Sequence, residues 1–157
     1  MYARTCPKLI GLLTSIGGSR SEAEEVAQDA YVKLLQQWPT VRSYDDPDAW
    51  VRTVAIRLMI SRRRRAAVAT LGLRRLAAQA RQDEPELTAD SVATAAALRN
   101  LPVPQRAAVI LHYVLDLPLQ DVAQQLQLPV GTVKSRLSRA RAALAPLLQE
   151  TEETKHV

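Results

Sequence analysis

The chain has 157 residues, with 21 Lys and Arg against 16 Asp and Glu, and so carries +5 at neutral pH. Hydrophobic residues make up 47% and charged residues 24%, which is too apolar for a wholly disordered polymer and enough for one domain or two small ones. Aromatics are only 4%, with no Phe, while Ala, Leu, Arg and Gln abound, a composition that favours an all-α fold over a sheet. Cys6 cannot form an internal disulfide, and His112 and His156 supply no set of zinc ligands, so neither a metal nor a cofactor is predicted. Arg4 and Lys8 before Leu9–Leu13 mimic a secretion signal, but the apolar run is shorter than the ~7–15 residues such a signal needs. No stretch approaches the ~20 apolar residues of a membrane span, so a cytoplasmic protein without membrane insertion is expected.

Lys8–Ile16 is predicted as a short apolar helix stopped by Gly17 and Gly18, glycine being the residue that turns left-handed cheaply after a helix end. Ser21 and Glu24 have the spacing of a capping box and open a second helix reaching about Trp38. Its packing stripe is Ala23, Val26, Ala27, Ala30, Tyr31, Leu34 and Trp38, with Glu25, Asp29, Val32 and Gln36 opposite. Pro39–Asp46 is a polar loop. Asp46 as N-cap and Pro47 at the first helical position begin a third helix, predicted to end near Arg65. Its buried stripe is Trp50, Val51, Val54, Ala55 and Leu58, and its other side interleaves Arg52, Arg57, Arg63 and Arg64 with Ile56 and Ile60. Ala66–Asp90 lacks periodicity, contains Pro85 and reads as a flexible linker. Helices over Ser91–Arg99, Pro104–Leu115, Leu119–Leu126 and Val130–Leu148 complete the chain.

Charge is unevenly spread. From Ala49 to Gln82 there are nine arginines and no acid, and from Gly131 to Gln149 Lys134, Arg136, Arg139 and Arg141 again stand without one. Two acid-free basic segments point to two contacts with a polyanion. The second lies in LQDVAQQLQLPVGTVKSRLSRARAAL, which has the form of a helix-turn-helix: a short helix, a tight turn and a longer basic helix. At 100° per residue Val133, Leu137, Ala140 and Leu144 fall within about 60° of one another, while Lys134, Ser135, Ser138 and Arg139 point the opposite way. The polar edge suits a major groove, where Lys134 and Arg139 can donate to guanine and the two serines can pair with several base edges. Thr132 and Arg136 lie on the flank, in position for phosphates.

The run LPVPQRAAVILHYVLDLPLQDVAQQLQLPVGTVKSRLSRARAAL closely resembles region 4 of bacterial sigma factors of the extracytoplasmic-function group, in its L-P-x-x-Q-R start and its G-T-V-K-S-R-L-x-R-A-R core. SEAEEVAQDAYVKLLQQW followed by DPDAWVRTVAIRLMISRRRR is similar to region 2 of the same group. The resemblance implies two small helical domains: a region 2-like domain at 1–66, a linker at 67–90, a region 4-like helix-turn-helix domain at 91–149 and a tail at 150–157. It further implies that the region 2 helix docks on the β′ clamp helices of core RNA polymerase through Glu25, Gln28, Asp29 and Gln36, with the β subunit as a second contact. Glu24 matches the same pattern, but the capping box claims it. Promoter DNA is the implied polyanion. Opening its minus 10 element requires cationic tracking of phosphates beside surfaces that capture unpaired bases. Tyr44, Arg52, Ile56, Arg57, Ile60, Arg63 and Arg64 offer that combination. Thr132, Lys134, Ser135, Arg136, Ser138 and Arg139 match the positions that read the minus 35 element, and an anti-sigma factor is a further partner the resemblance allows.

Two departures from the family pattern stand out. The family's first helix usually begins earlier than Met1 permits, which predicts a shortened helix or a late start. Gln127 replaces a common glycine in the helix-turn-helix turn, where a left-handed non-glycine residue costs roughly 1–2 kcal/mol. The chain lacks a glycine-rich phosphate loop, a His or Cys beside a base, or paired carboxylates away from helix ends, so no catalytic residue is assigned. A stand-alone helix-turn-helix regulator is the alternative. It would normally dimerise on two half-sites, and it leaves residues 21–65 without a role.

Overall fold

The computed structural model describes residues 2–72 and 96–155, with side chains at 2–69 and 96–146. All regular structure among these residues is helical, and the chain divides into two units, Met1–Asp83 and Glu84–Val157. Residues 73–90 of the expected linker, the start of the helix expected from Ser91, and residues 156–157 of the tail lie outside the described residues.

The first unit consists of α1 (Tyr2–Gly17), α2 (Arg20–Val41) and α3 (Pro47–Gly72), each packed on the other two. Leu9, Leu13 and Ile16 of α1 meet Ala23, Val26, Ala27, Ala30 and Leu34 of α2 and Val51, Ala55, Ile56 and Met59 of α3 in one core. The first helix begins at Tyr2, six residues before the expected start, because Cys6 on its inner face is also buried and Tyr2 packs edge-on against Tyr31. Thr5 and Tyr31 join their hydroxyls at 2.7 Å, and burial pushes the Tyr31 phenol pKa up. The α1–α2 corner is tight: a Cβ at Gly17 would come within 2.7 Å of Met59 Sδ, and Gly18 takes φ 83°.

The cap of α2 is Ser19, not Ser21. Its side chain accepts from the Glu22 amide at 3.3 Å, and Glu24 forms an ion pair with Arg20 instead of closing a capping box. Nor does Pro39 end the helix. It lies in the last turn, where it removes one backbone hydrogen bond, and burial of Val41 holds that turn in place. Trp38, expected on the packing stripe, is 40% exposed. The Asp46 cap is as expected, with Oδ1 accepting from the Ala49 amide at 3.0 Å. Beyond it α3 continues to Gly72, so residues 67–72 of the expected linker are helical.

Ile56 requires a correction. Placed by its spacing among base-capturing residues, it is fully buried. A helix that touches two neighbours buries more than one stripe: at 100° per residue Val51, Ala55, Met59 and Ile56 span about 140° of α3.

In the second unit, helical residues 96–99 lead to α4 (Val103–Val109), which widens into a π-turn (Ile110–Val114) closed by the Leu115 amide on the Ile110 carbonyl at 3.0 Å. Then come α5 (Leu119–Leu126) and α6 (Val130–Lys155), the latter reaching beyond the expected end at Leu148. Arg106, only 7% exposed, organises the entry to α4. Its guanidinium donates to the carbonyls of Leu98 at 2.9 Å and of Arg99 and Leu101 at 3.0 Å, gathering the carbonyls at and just beyond the end of the preceding helix. Between α5 and α6, Gln127 takes the expected left-handed conformation (φ 54°, ψ 47°), and the Leu128 amide closes the turn on the Ala123 carbonyl at 2.9 Å.

Two stability outcomes follow from this packing. Ile56→Ala is expected to cost about 2–4 kcal/mol in urea denaturation, and Ile60→Ala, at a half-buried site, less than half as much; equal costs would show that Ile56 is not core. Gln127→Gly should raise the melting temperature of the second unit, with a gain of about 0.5–1 kcal/mol from relieved backbone strain partly offset by glycine's unfolded-state entropy.

Candidate nucleic-acid interface and partner faces

The face of α6 divides as its phasing requires. Val133, Leu137 and Ala140 are buried against α4 and α5, while Lys134, Ser135, Ser138 and Arg139 are all exposed, and Thr132 and Arg136 on the flank are half-buried. The Ser135 hydroxyl donates to the Gly131 carbonyl at 3.0 Å, which leaves its lone pairs to accept from a base amino group. Arg141, next to this face, donates to the Tyr113 hydroxyl at 2.8 Å and so ties α6 to the end of the π-turn. A serine–lysine–arginine edge held on a buried apolar seam can enter a groove without unfolding anything.

The arginines of α3 are not one surface. Arg64 is exposed, and Arg52, Arg57 and Ile60 are half-buried, with burial pulling the Arg57 pKa down. Tyr44 is exposed in the loop before α3. Arg63 turns inward, contrary to the sequence expectation. Its Nη2 donates to the Gly17 carbonyl and pairs with Glu22 at 2.7 Å, so one guanidinium joins the carbonyl end of α1 to the first turn of α2.

On α2, Glu25, Gln28, Asp29 and Gln36 are exposed together on one face. Two apolar residues share it that the sequence analysis did not assign to a site: Val32, 51% exposed, and Leu35, 75% exposed. The signal was present, since the stripe that buries Leu34 turns its neighbour Leu35 about 100° away from it. Arg62, also unassigned, reaches from α3 to this face and donates to Glu25 Oε2 at 2.9 Å and Asp29 Oδ2 at 2.8 Å. These two acids, Glu25 first, hold its guanidinium still more firmly protonated. Its place within a run of four arginines hid it. Among the described residues, no helix is long and apolar enough to cross a membrane.

The described residues thus form a three-helix unit with an acidic, apolar-centred helix face and a second unit built on a helix-turn-helix. The family described as Sigma-70 region 2 matches residues 1–68, and that described as Sigma-70, region 4 matches residues 91–144. The ECF RNA polymerase sigma factor SigL of Mycobacterium tuberculosis is 31% identical over 143 residues, covering 88% of this chain and 81% of SigL. The RNA polymerase sigma-H factor of Pseudomonas aeruginosa is 29% identical over 166 residues, covering 91% of this chain and 83% of its own length. The sigma factor RpoE from Bartonella quintana, solved with the anti-sigma factor NepR, shares the fold with a TM-score of 0.73 at 24% identity over 94% of both chains. The chain belongs to the ECF sigma factors, with sigma-70 regions 2 and 4. It is thus a non-enzymatic protein that directs promoter recognition by RNA polymerase.

Proposed function

We propose a division of that activity among three faces. The exposed side of α2, with Glu25, Gln28, Asp29 and Gln36 around Val32 and Leu35, docks on the β′ clamp helices of core polymerase. An apolar centre ringed by polar and acidic side chains is the anatomy of a protein interface and not of a solvated helix surface. The α6 edge reads the minus 35 duplex through Lys134, Ser135, Ser138 and Arg139, with Thr132 and Arg136 placed for phosphates. Tyr44, Arg52, Arg57, Ile60 and Arg64 hold the opened minus 10 strand, Tyr44 by stacking and the arginines along the backbone. Family resemblance adds the β subunit as a second polymerase contact, and an anti-sigma factor covers one or more of these faces when the protein is held inactive, as NepR pairs with RpoE in the structure of similar fold. The protein works in the cytoplasm, where polymerase and promoters are.

The observation that carries this reading is the separation of exposed from buried residues on α6: the four side chains assigned to bases are all exposed, and three apolar residues that alternate with them are at most 2% exposed. In vitro transcription with purified core polymerase and a library of promoter sequences tests it. The protein should shift initiation to a distinct set of starts, and an unchanged start profile would remove the reading.

Two substitutions separate the faces. Arg139→Ala in the polymerase complex should lose about 1–3 kcal/mol on a promoter selected from that library and little on random DNA; equal losses would demote Arg139 to a phosphate contact. Asp29→Arg should weaken binding to core polymerase while the circular dichroism spectrum stays helical, and unchanged affinity would take Asp29 off the docking face.

A further inference from the structure

Glu25 and Asp29 are one turn apart on α2, where like charges repel and unpaired side chains would swing away from each other. Arg62 meets them from α3, 33 and 37 positions further along the chain, with one nitrogen for each carboxylate: Nη1 to Glu25 Oε2 and Nη2 to Asp29 Oδ2. The three side chains are unequally exposed, the arginine 30% and the acids 64% and 55%. The cation therefore lies on the inner side of the acids. One oxygen of each carboxylate is engaged from beneath while the group as a whole faces outward.

We propose that Arg62 is a positioning residue for holoenzyme formation: its forked guanidinium locks Glu25 and Asp29 into one arrangement on the docking face of α2. This rests on the docking of α2 on polymerase proposed above. Exposed ion pairs add little to stability, so a contribution to folding is a weak reason for two pairs to converge on one arginine. Fixing two flexible acidic side chains before contact is a stronger one, because a partner then need not order them on binding. The alternative is a latch, in which Arg62 occupies the acids and must be displaced by a cation of polymerase. The geometry disfavours a latch, since the arginine is the least exposed member of the group and a partner approaching α2 meets the carboxylates first. The same fork ties α3, which carries Arg57, Ile60 and Arg64, to the helix that faces the polymerase.

Fluorescence titration of full-length protein with purified core RNA polymerase distinguishes the two. Wild type, Arg62→Gln and Arg62→Lys are compared, each also in a Glu25→Gln, Asp29→Asn background, at a temperature where circular dichroism shows all of them equally helical. Arg62→Gln and Arg62→Lys should each weaken core binding about 3- to 10-fold, lysine failing to rescue because it keeps the charge and loses the fork. Neither should weaken it further in the carboxamide background. Unchanged or tighter binding of Arg62→Gln overturns the proposal, as does full rescue by lysine or an equal loss in both backgrounds. Should the carboxamide pair alone bind core polymerase as the wild type does, the docking face itself is misassigned, a failure distinct from that of Arg62.

Discussion

Three alanines on one stripe of α2 determine what the first unit can present. Ala23, Ala27 and Ala30 are essentially inaccessible, and their small side chains let α1 and α3 approach α2 closely. Gly17 does the same for Met59 where α1 meets α3. With that side filled, Glu25, Gln28, Asp29, Val32, Leu35 and Gln36 have no place but the outer face. Inside and outside on α2 are two results of one packing constraint.

The arginines answer to the same constraint. At 100° per residue Arg62 and Arg63 fall within the arc of α3 spanned by its buried residues, at the level where the core gives way to solvent, while Ile60, Arg64 and Arg57 lie beyond that arc. Arg63 thus meets the end of α1 and the first turn of α2, Arg62 meets the acids of α2, and Arg64 stays exposed to solvent. In the second unit Arg106 is drawn inward by the carbonyls of Leu98, Arg99 and Leu101. A formal count of basic residues overstates the charge available to DNA, because several guanidiniums are taken up by helix ends and carboxylates of the same unit.

Periodicity and punctuation made most helices legible. Leu119–Leu126 is bounded by prolines and has a single strong stripe, and the structure reproduces it residue for residue. The Asp46-Pro47 start and the left-handed Gln127 were equally readable, because both depend on local backbone chemistry. Errors arose where packing overrode a local signal or where a second local signal competed with the first. Pro39 marked a helix end that buried Val41 overrode, and Ser21 had the spacing of a cap that Ser19 supplies.

The amino-acid sequence by itself determined the helical class, the helix-turn-helix with its polar and apolar edges, and the family resemblance, all of which rest on composition and on spacing along the chain. Only the tertiary structure decided which side chains of α3 are core and which arginines are engaged. Ile56 and Ile60 are the same residue type four positions apart on one helix, yet one is fully buried and the other half-exposed. What separates them is the placement of two other helices, and no local pattern along α3 contains that information.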